Sequence, residues 1–478
     1  MRRFTLPAPK TTALGAVALP RKTAAVRPAD GSFALDDQHL LRSVNAVALP
    51  IIAENLFQTL LGIVDMIMVG RLGAAAIAGV GTALQIIFIV LGALSAVTIG
   101  TTVLVARSVG ARQRAEADRT VKQSLVLGVA LAAAIGLLGH LFAHPIIALL
   151  GATPAVTRIG GDYLDIVCLT SVTLVIQFVC SGALRGVGDT RTSMVVTGLV
   201  NVVNAVVAYG LIFGHFGLPA LGAVGSAWGA SVARAAGALV MLALLGSGWR
   251  HVSIRGRGGW RPDVALMRRI TRIGFPAMIE QVLMNGGMLL YSIIVIDMGT
   301  AVYAAQRITF NVINISFMPG LGFGMAATTM TSQALGAKRS DLAERSTWMS
   351  VWLAALWMCT VGVVLMVWGD PIMHIFSNDP TIDRVGTDAL RVIALSQPFQ
   401  AVGQVMAGSL RGAGDTRFPM VATGLAIWLV RLPFGWLFGV PLHGGLPGVY
   451  ISNVMDGAVR AAATYLRFRQ GGWRKRRV

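Results

Sequence analysis

Charge is scarce in this chain. Only 13% of its 478 residues are Asp, Glu, Lys or Arg, and acids are the rarer sign, 21 against 40 bases. A soluble domain carries about twice that share of charge, so a water-solvated surface is excluded over most of the length. Cysteine is nearly absent. Cys168, Cys180 and Cys359 all lie in apolar runs, which leaves them packing roles rather than a disulfide frame or a zinc knuckle. The 7 histidines stand apart from one another, with no neighbouring ligand or nucleophile. Metal sites and catalytic triads therefore have no footing, and no enzyme is expected. The phosphate loop G-x-x-x-x-G-K-[ST] is also missing, so transport work would have to draw on an ion gradient.

What is present is hydrophobic sequence, 55% of the chain. It falls into twelve runs of about 20 residues, each long enough to cross about 30 Å of hydrocarbon. Lipid cannot satisfy an unpaired backbone, so each run reads as a helix. The expected fold class is an all-α integral membrane protein with twelve transmembrane helices. Its fourth, fifth, tenth and eleventh spans are placed at 163–184, 192–214, 388–410 and 418–440. Of the 40 Lys and Arg, 32 fall in the tails and in alternate loops. That bias puts both termini in the cytoplasm of a cell whose inner (plasma) membrane holds the protein. The net charge of +19 is then a topology signal that suits anionic headgroups. Split into short loops, it does not suit nucleic acid. Residues 1–40 read as a disordered basic tail, with an Arg-rich, acid-poor transit-like peptide as the alternative.

The stretch "LRGVGDTR" (Leu184–Arg191) returns as "LRGAGDTR" (Leu410–Arg417), 226 residues later. The same shift aligns Pro50 with Pro276, Glu54 with Glu280, Gly110 with Gly336 and Arg234 with Arg460, without insertion. The chain is therefore a duplicated six-span unit. Two bundles are expected, 41–246 and 267–466, joined by a cytoplasmic linker, 247–266, and followed by a basic tail, 467–478. Six spans per half give both halves the same orientation, related by an axis along the membrane normal. In the repeated loop the glycines allow a tight turn. Asp189 or Thr190, and Asp415 or Thr416, are placed to cap the following helices.

Three stretches, "LPIIAENLFQTLLGIVDMIMVGRLG" (Leu49–Gly73), the doubled "LRGxGDTR" and "SFMPGLGFGMAATTMTSQALGA" (Ser316–Ala337), resemble the multidrug and toxic compound extrusion (MATE) family, on its DinF-like rather than its NorM-like branch. The resemblance covers about residues 40–470. It implies a secondary antiporter, expected as a monomer, that exports lipophilic, often cationic small molecules in exchange for protons. It implies no bound cofactor beyond the ion gradient.

Ionisable residues inside spans are costly and so are site candidates. The resemblance places the coupling aspartate at Asp65, 15 residues after Pro50, whose missing N–H lets the first span hinge. Asn201 and Asn204 share a face of the fifth span and are candidate partners. Some family members carry a second acid where this chain has Ala208, so proton coupling is the simpler reading and sodium the alternative. Glu54 and Glu280 are further coupling candidates. The intramembrane bases Arg234, Arg431 and Arg460 need partners: Glu54 or Asp65 for Arg234, Glu280 for Arg431, and Asp456, four residues earlier on the same helix, for Arg460. The 20 Met and 18 Phe suit a cavity that adapts to many shapes, if they line one. Two other readings stay open, a lipid-linked oligosaccharide flippase with a basic central cavity and a non-transporting scaffold or receptor. Pairing of the buried arginines within each lobe favours the antiporter over the flippase.

Overall fold

The computed structural model describes residues 39–248, 252–256, 258–377 and 379–476. The tail assigned to residues 1–40 lies almost wholly outside them. Among the described residues every regular element is helical. The N-terminal bundle comprises α1 (Leu40–Gly70), α2 (Ala74–Gly110), α3 (Arg114–Leu149), α4 (Pro154–Leu169), α5 (Ser171–Val187), α6 (Thr190–Phe213) and α7 (Ala223–Ser247). The C-terminal bundle comprises α8 (Val264–Ile296), α9 (Thr300–Gly336), α10 (Ser340–Val367), α11 (Gly369–Phe376), α12 (Pro380–Ala394), α13 (Gln397–Gly412), α14 (Arg417–Leu425), α15 (Leu432–Gly439) and α16 (Gly445–Arg469). A short π-helical segment, Ala426–Arg431, joins α14 to α15. Nine spans among the described residues, one of them α14 through α15, are long and apolar enough to cross a bilayer, and α4 with α5 forms a tenth. The paired α12–α13 and the polar α16 complete twelve.

Two spans that read as straight in the sequence are broken. The fourth runs over α4 and α5, starts well before residue 163 and bends by 53°. The reason is local and tertiary at once. At the break, the Thr170 hydroxyl folds back onto the Ile166 carbonyl at 2.7 Å and meets Ser231 Oγ of α7 at 2.7 Å. A hydroxyl bonded to its own helix backbone bends the helix. The tenth is interrupted between α12 and α13, where Pro398 cannot donate to the carbonyl four residues back and Ser396 bonds to the Ile393 carbonyl at 2.7 Å. The eleventh, expected to be regular over 418–440, carries the π segment that ends at Arg431.

The halves meet along α1, α2, α8 and α9. A Cβ on Gly110 would collide with the Gln333 carbonyl, and one on Gly336 with the Arg107 carbonyl. Gly110 and Gly336 are one repeat apart, and so are Arg107 and Gln333. Reciprocal contacts of this kind define a two-fold relation between α2 and α9. They lie at the basic-loop ends of these helices, where the halves are packed shut.

The described part of the linker is held against α3. The buried Lys122 of α3 donates to the carbonyls of Arg255 (2.8 Å), Gly256 (3.3 Å) and Gly258 (2.8 Å). The tail after residue 467 is not free either. α16 continues to Arg469, a 3-10 turn follows over Gly472–Lys475, and Trp473 is buried against Phe468 with ring centroids 4.7 Å apart.

Candidate functional site

Pro50 lies within α1 and cannot donate to the carbonyl four residues back, that of Ala46. Thr190, from the repeated loop, donates its hydroxyl to that oxygen at 3.3 Å. Asp189 beside it caps α6 through Thr192 N (3.2 Å) and Thr192 Oγ1 (2.7 Å). Gly188, at φ 94°, makes the left-handed turn that lets α5 run into α6. The second copy diverges. Asp415 caps nothing; it pairs with Arg467 Nε at 3.0 Å and Arg476 Nη2 at 3.2 Å. Duplication kept the turn and released this carboxylate to bind the chain's C-terminal segment.

Asp65 sits half-buried on α1, beyond Pro50 in a helix that runs unbroken from Leu40 to Gly70. The buried Asn204 of α6 donates one amide nitrogen to both carboxylate oxygens, at 3.0 and 3.1 Å. Arg234 of α7 and the buried Tyr163 of α4 lie close enough to interact with its charge. Asn201 is not part of this group. It donates to the Phe57 carbonyl at 2.6 Å and ties α6 to α1. Three residues along the helix place it on a neighbouring stretch of α1 rather than at Asp65. Ala208 is fully buried, with a Cβ on Gly229 falling against it.

Glu54 and Glu280 prove to be paired with the repeated loops. Glu54 Oε1 accepts from Arg185 Nη2 (2.8 Å), Ser193 (3.1 Å) and Thr197 (3.3 Å). Glu280 Oε1 accepts from Thr423 at 3.1 Å and lies 3.7 Å from Arg411. Arg185 and Arg411, Thr197 and Thr423, are matching positions of the repeat. The sequence analysis, which offered Glu54 to Arg234 and Glu280 to Arg431, missed this pairing, although both partners were duplicated in step. Arg234 therefore does not serve Glu54.

Arg431 does not neutralise Glu280, as the sequence suggested. Its Nη2 lies 2.6 Å from Asp456 Oδ2, an oxygen that Arg460 also reaches at 3.1 Å. The expected Asp456–Arg460 pair is present, with a third member delivered by the π segment. Arg431 and Arg460 thus find their carboxylate inside their own lobe, and the acid whose charge reaches Arg234, Asp65, is in its own lobe too. Beside this triad is a cavity of about 330 Å³ whose wall includes Met284, Met288, Phe310 and Phe317.

Two pseudo-symmetric six-span lobes, with internal carboxylates and a shared seam, define a secondary transporter of the parallel-repeat type. The MatE family model matches residues 50–210 and 276–437, one copy per half. The chain belongs to the MATE family, whose members are membrane transporters and not enzymes. It is 32% identical over 436 residues to the probable multidrug resistance protein NorM of Thermotoga maritima, covering 90% of this chain and 93% of that protein. It is 30% identical over 418 residues to the protein of the same name from Burkholderia mallei, covering 84% and 86%. Its fold is similar, at TM-score 0.85 and 22% identity, to the outward-facing conformation of a multidrug resistance MATE transporter of the MOP superfamily, covering 91% of this chain and 97% of that one.

Proposed function

We propose that the protein is a plasma-membrane antiporter that exports lipophilic, often cationic compounds in exchange for protons. The observation that carries this reading is Asp65, held by Asn204 with both oxygens accepting and facing Arg234. A carboxylate in that position has two ways to lose its charge, by a proton or by a bound cation. The two exclude each other, and mutual exclusion at one acid is the basis of exchange. Neutralising Asp65 also removes its attraction for the Arg234 side chain, so α1 is free to change its bend at Pro50. A two-state element biased by one charge is what alternating access requires.

Several features support the reading. Ala208 leaves Asp65 without a second carboxylate, the arrangement a hard cation such as sodium prefers. Arg431 and Arg460 share Asp456 inside the C-terminal lobe instead of converging on the seam between the lobes, where a flippase would hold pyrophosphate. With both termini cytoplasmic, the seam sealed by Gly110 and Gly336 closes the cytoplasmic face. The test is Asp65→Asn in proteoliposomes. The amide keeps the shape and the Asn204 contact but cannot cycle a proton near neutral pH. Drug efflux driven by an imposed pH gradient should be lost at matched protein content, while insertion and thermal stability are unchanged. Wild-type transport by this variant, or transport that follows a sodium gradient at equal pH, would overturn the proposal.

A further inference from the structure

The two lobes have taken unequal charge since duplication. Under the 226-residue shift Arg234 matches Arg460, but Asp65 matches Tyr291, Ala205 matches Arg431 and Ala230 matches Asp456. The N-terminal lobe therefore sets one arginine against one carboxylate at this level. The C-terminal lobe sets two arginines against one. Asp456 is fully buried, and one of its oxygens serves both Arg431 (2.6 Å) and Arg460 (3.1 Å). Glu280, the other carboxylate nearby, carries its own guanidinium, Arg411 at 3.7 Å. A buried carboxylate neutralises one guanidinium, and a guanidinium does not deprotonate in a protein. A surplus positive charge remains.

That surplus faces a cavity. Arg431 and Arg460 line it, and Arg307 adds a third guanidinium to the wall. The Nε atoms of Arg431 and Arg460 are buried without a hydrogen-bond partner. Gln306, only 4% exposed, also lines the cavity with both its amide nitrogen and its amide oxygen unpartnered. Buried polar groups left unpaired are costly unless something fills the site. The rest of the wall is soft and apolar, with Met284, Met288, Phe310 and Phe317.

We propose that this C-terminal cavity binds an amphiphilic anion, a carboxylate, sulfonate or phosphate headgroup on an apolar body. Arg431 and Arg460 hold the headgroup, Arg307 draws it in, the Gln306 amide donates to it, and the methionine and phenylalanine wall takes the body. The site is separate from Asp65, which lies in the other lobe, and its test reads binding rather than coupled transport. It stands or falls independently of proton exchange.

The probe is 8-anilinonaphthalene-1-sulfonate, with N-phenyl-1-naphthylamine as the same rings without the sulfonate. The full chain is placed in nanodiscs of zwitterionic phosphatidylcholine, and protein-dependent fluorescence is titrated against empty discs. The sulfonate should show a saturable site. Arg431→Gln should weaken it about tenfold, the loss of one charge-assisted hydrogen bond, and leave the neutral probe unmoved. This variant keeps the balanced Asp456–Arg460 pair, so its melting temperature without ligand should not fall. Arg307→Gln, at an exposed position, should weaken the sulfonate in the same direction and serves if the first variant does not fold. Competition by phosphatidylglycerol in the disc would assign the headgroup to lipid, and its absence to a soluble anion; either supports the site. Equal sulfonate affinity in wild type and both variants, or no preference over the neutral rings, would overturn it.

Discussion

Glu54 and Arg185 illustrate what a buried pair means at the scale of a residue. Glu54 is 1% exposed, and Arg185 reaches it at 2.8 Å with Ser193 and Thr197 on the same oxygen. Removing one partner strands the other. Arg185→Met should destabilise the protein by about 3–5 kcal/mol, and Glu54→Gln combined with Arg185→Met should recover much of that loss. Thermal unfolding in detergent checks both. A double variant no better than the single would assign Arg185 a role beyond charge compensation. At this scale the sequence was half legible. Asp65 was reached through the family resemblance, and Asn204 and the Asp456–Arg460 pair through helix periodicity and intramembrane charge. The partners of Glu54, Glu280 and Arg431 could not, because they arrive from helices 25 to 143 residues distant in the chain.

The elements carry devices that hydropathy does not register. A window of apolar residues has the same mean whether the helix is straight or bent, so the 53° break between α4 and α5 was invisible. It depends on Thr170 finding Ser231, 61 residues away. The hydrogen bond missing at Pro50 was legible from the proline alone, but its replacement was not. Thr190 supplies the hydrogen bond that the proline leaves unmade at Ala46. Thr190→Val should cost about 1 kcal/mol of stability, with the loss confined to the first lobe. Hydrogen exchange at the start of α1 should speed up, while α8, which has the same proline in the other lobe, stays as it was. Unchanged exchange in α1 would show that the helix at Pro50 does not rely on this contact.

For the whole molecule, the gap-free repeat gave the architecture directly, since two copies of an even number of spans have to face the same way. What the repeat could not tell is where the copies touch. Gly110 against Gln333, and Gly336 against Arg107, close the seam on the basic-loop face, and the C-terminal segment crosses it. Arg107 donates to the Arg476 carbonyl at 2.8 Å, while Arg476 pairs with Asp415 of the other lobe. Nothing in the composition of this basic segment foretold that it would fold back. Gly110→Val puts a side chain where a carbonyl stands and should shift the population towards the state open on that face. A cysteine placed at Gln333, which is 4% exposed in this state, should then react with a water-soluble maleimide severalfold faster. Equal labelling with and without the valine would mean that the glycine contact does not gate the seam.

The central claim is that one acid, Asp65, binds either a proton or a cationic substrate. Counting protons tests it most directly. Purified protein in weakly buffered detergent, without sodium, is titrated with a lipophilic cation while pH is recorded. A cation favours the ionised carboxylate, so binding must expel the proton held there, and affinity must rise as pH rises through the range where Asp65 titrates. The account predicts release of about one proton per bound cation at pH values where Asp65 is protonated, and none from Asp65→Asn. Binding that releases no proton at any pH in the wild type, or equal release from the variant, would contradict it.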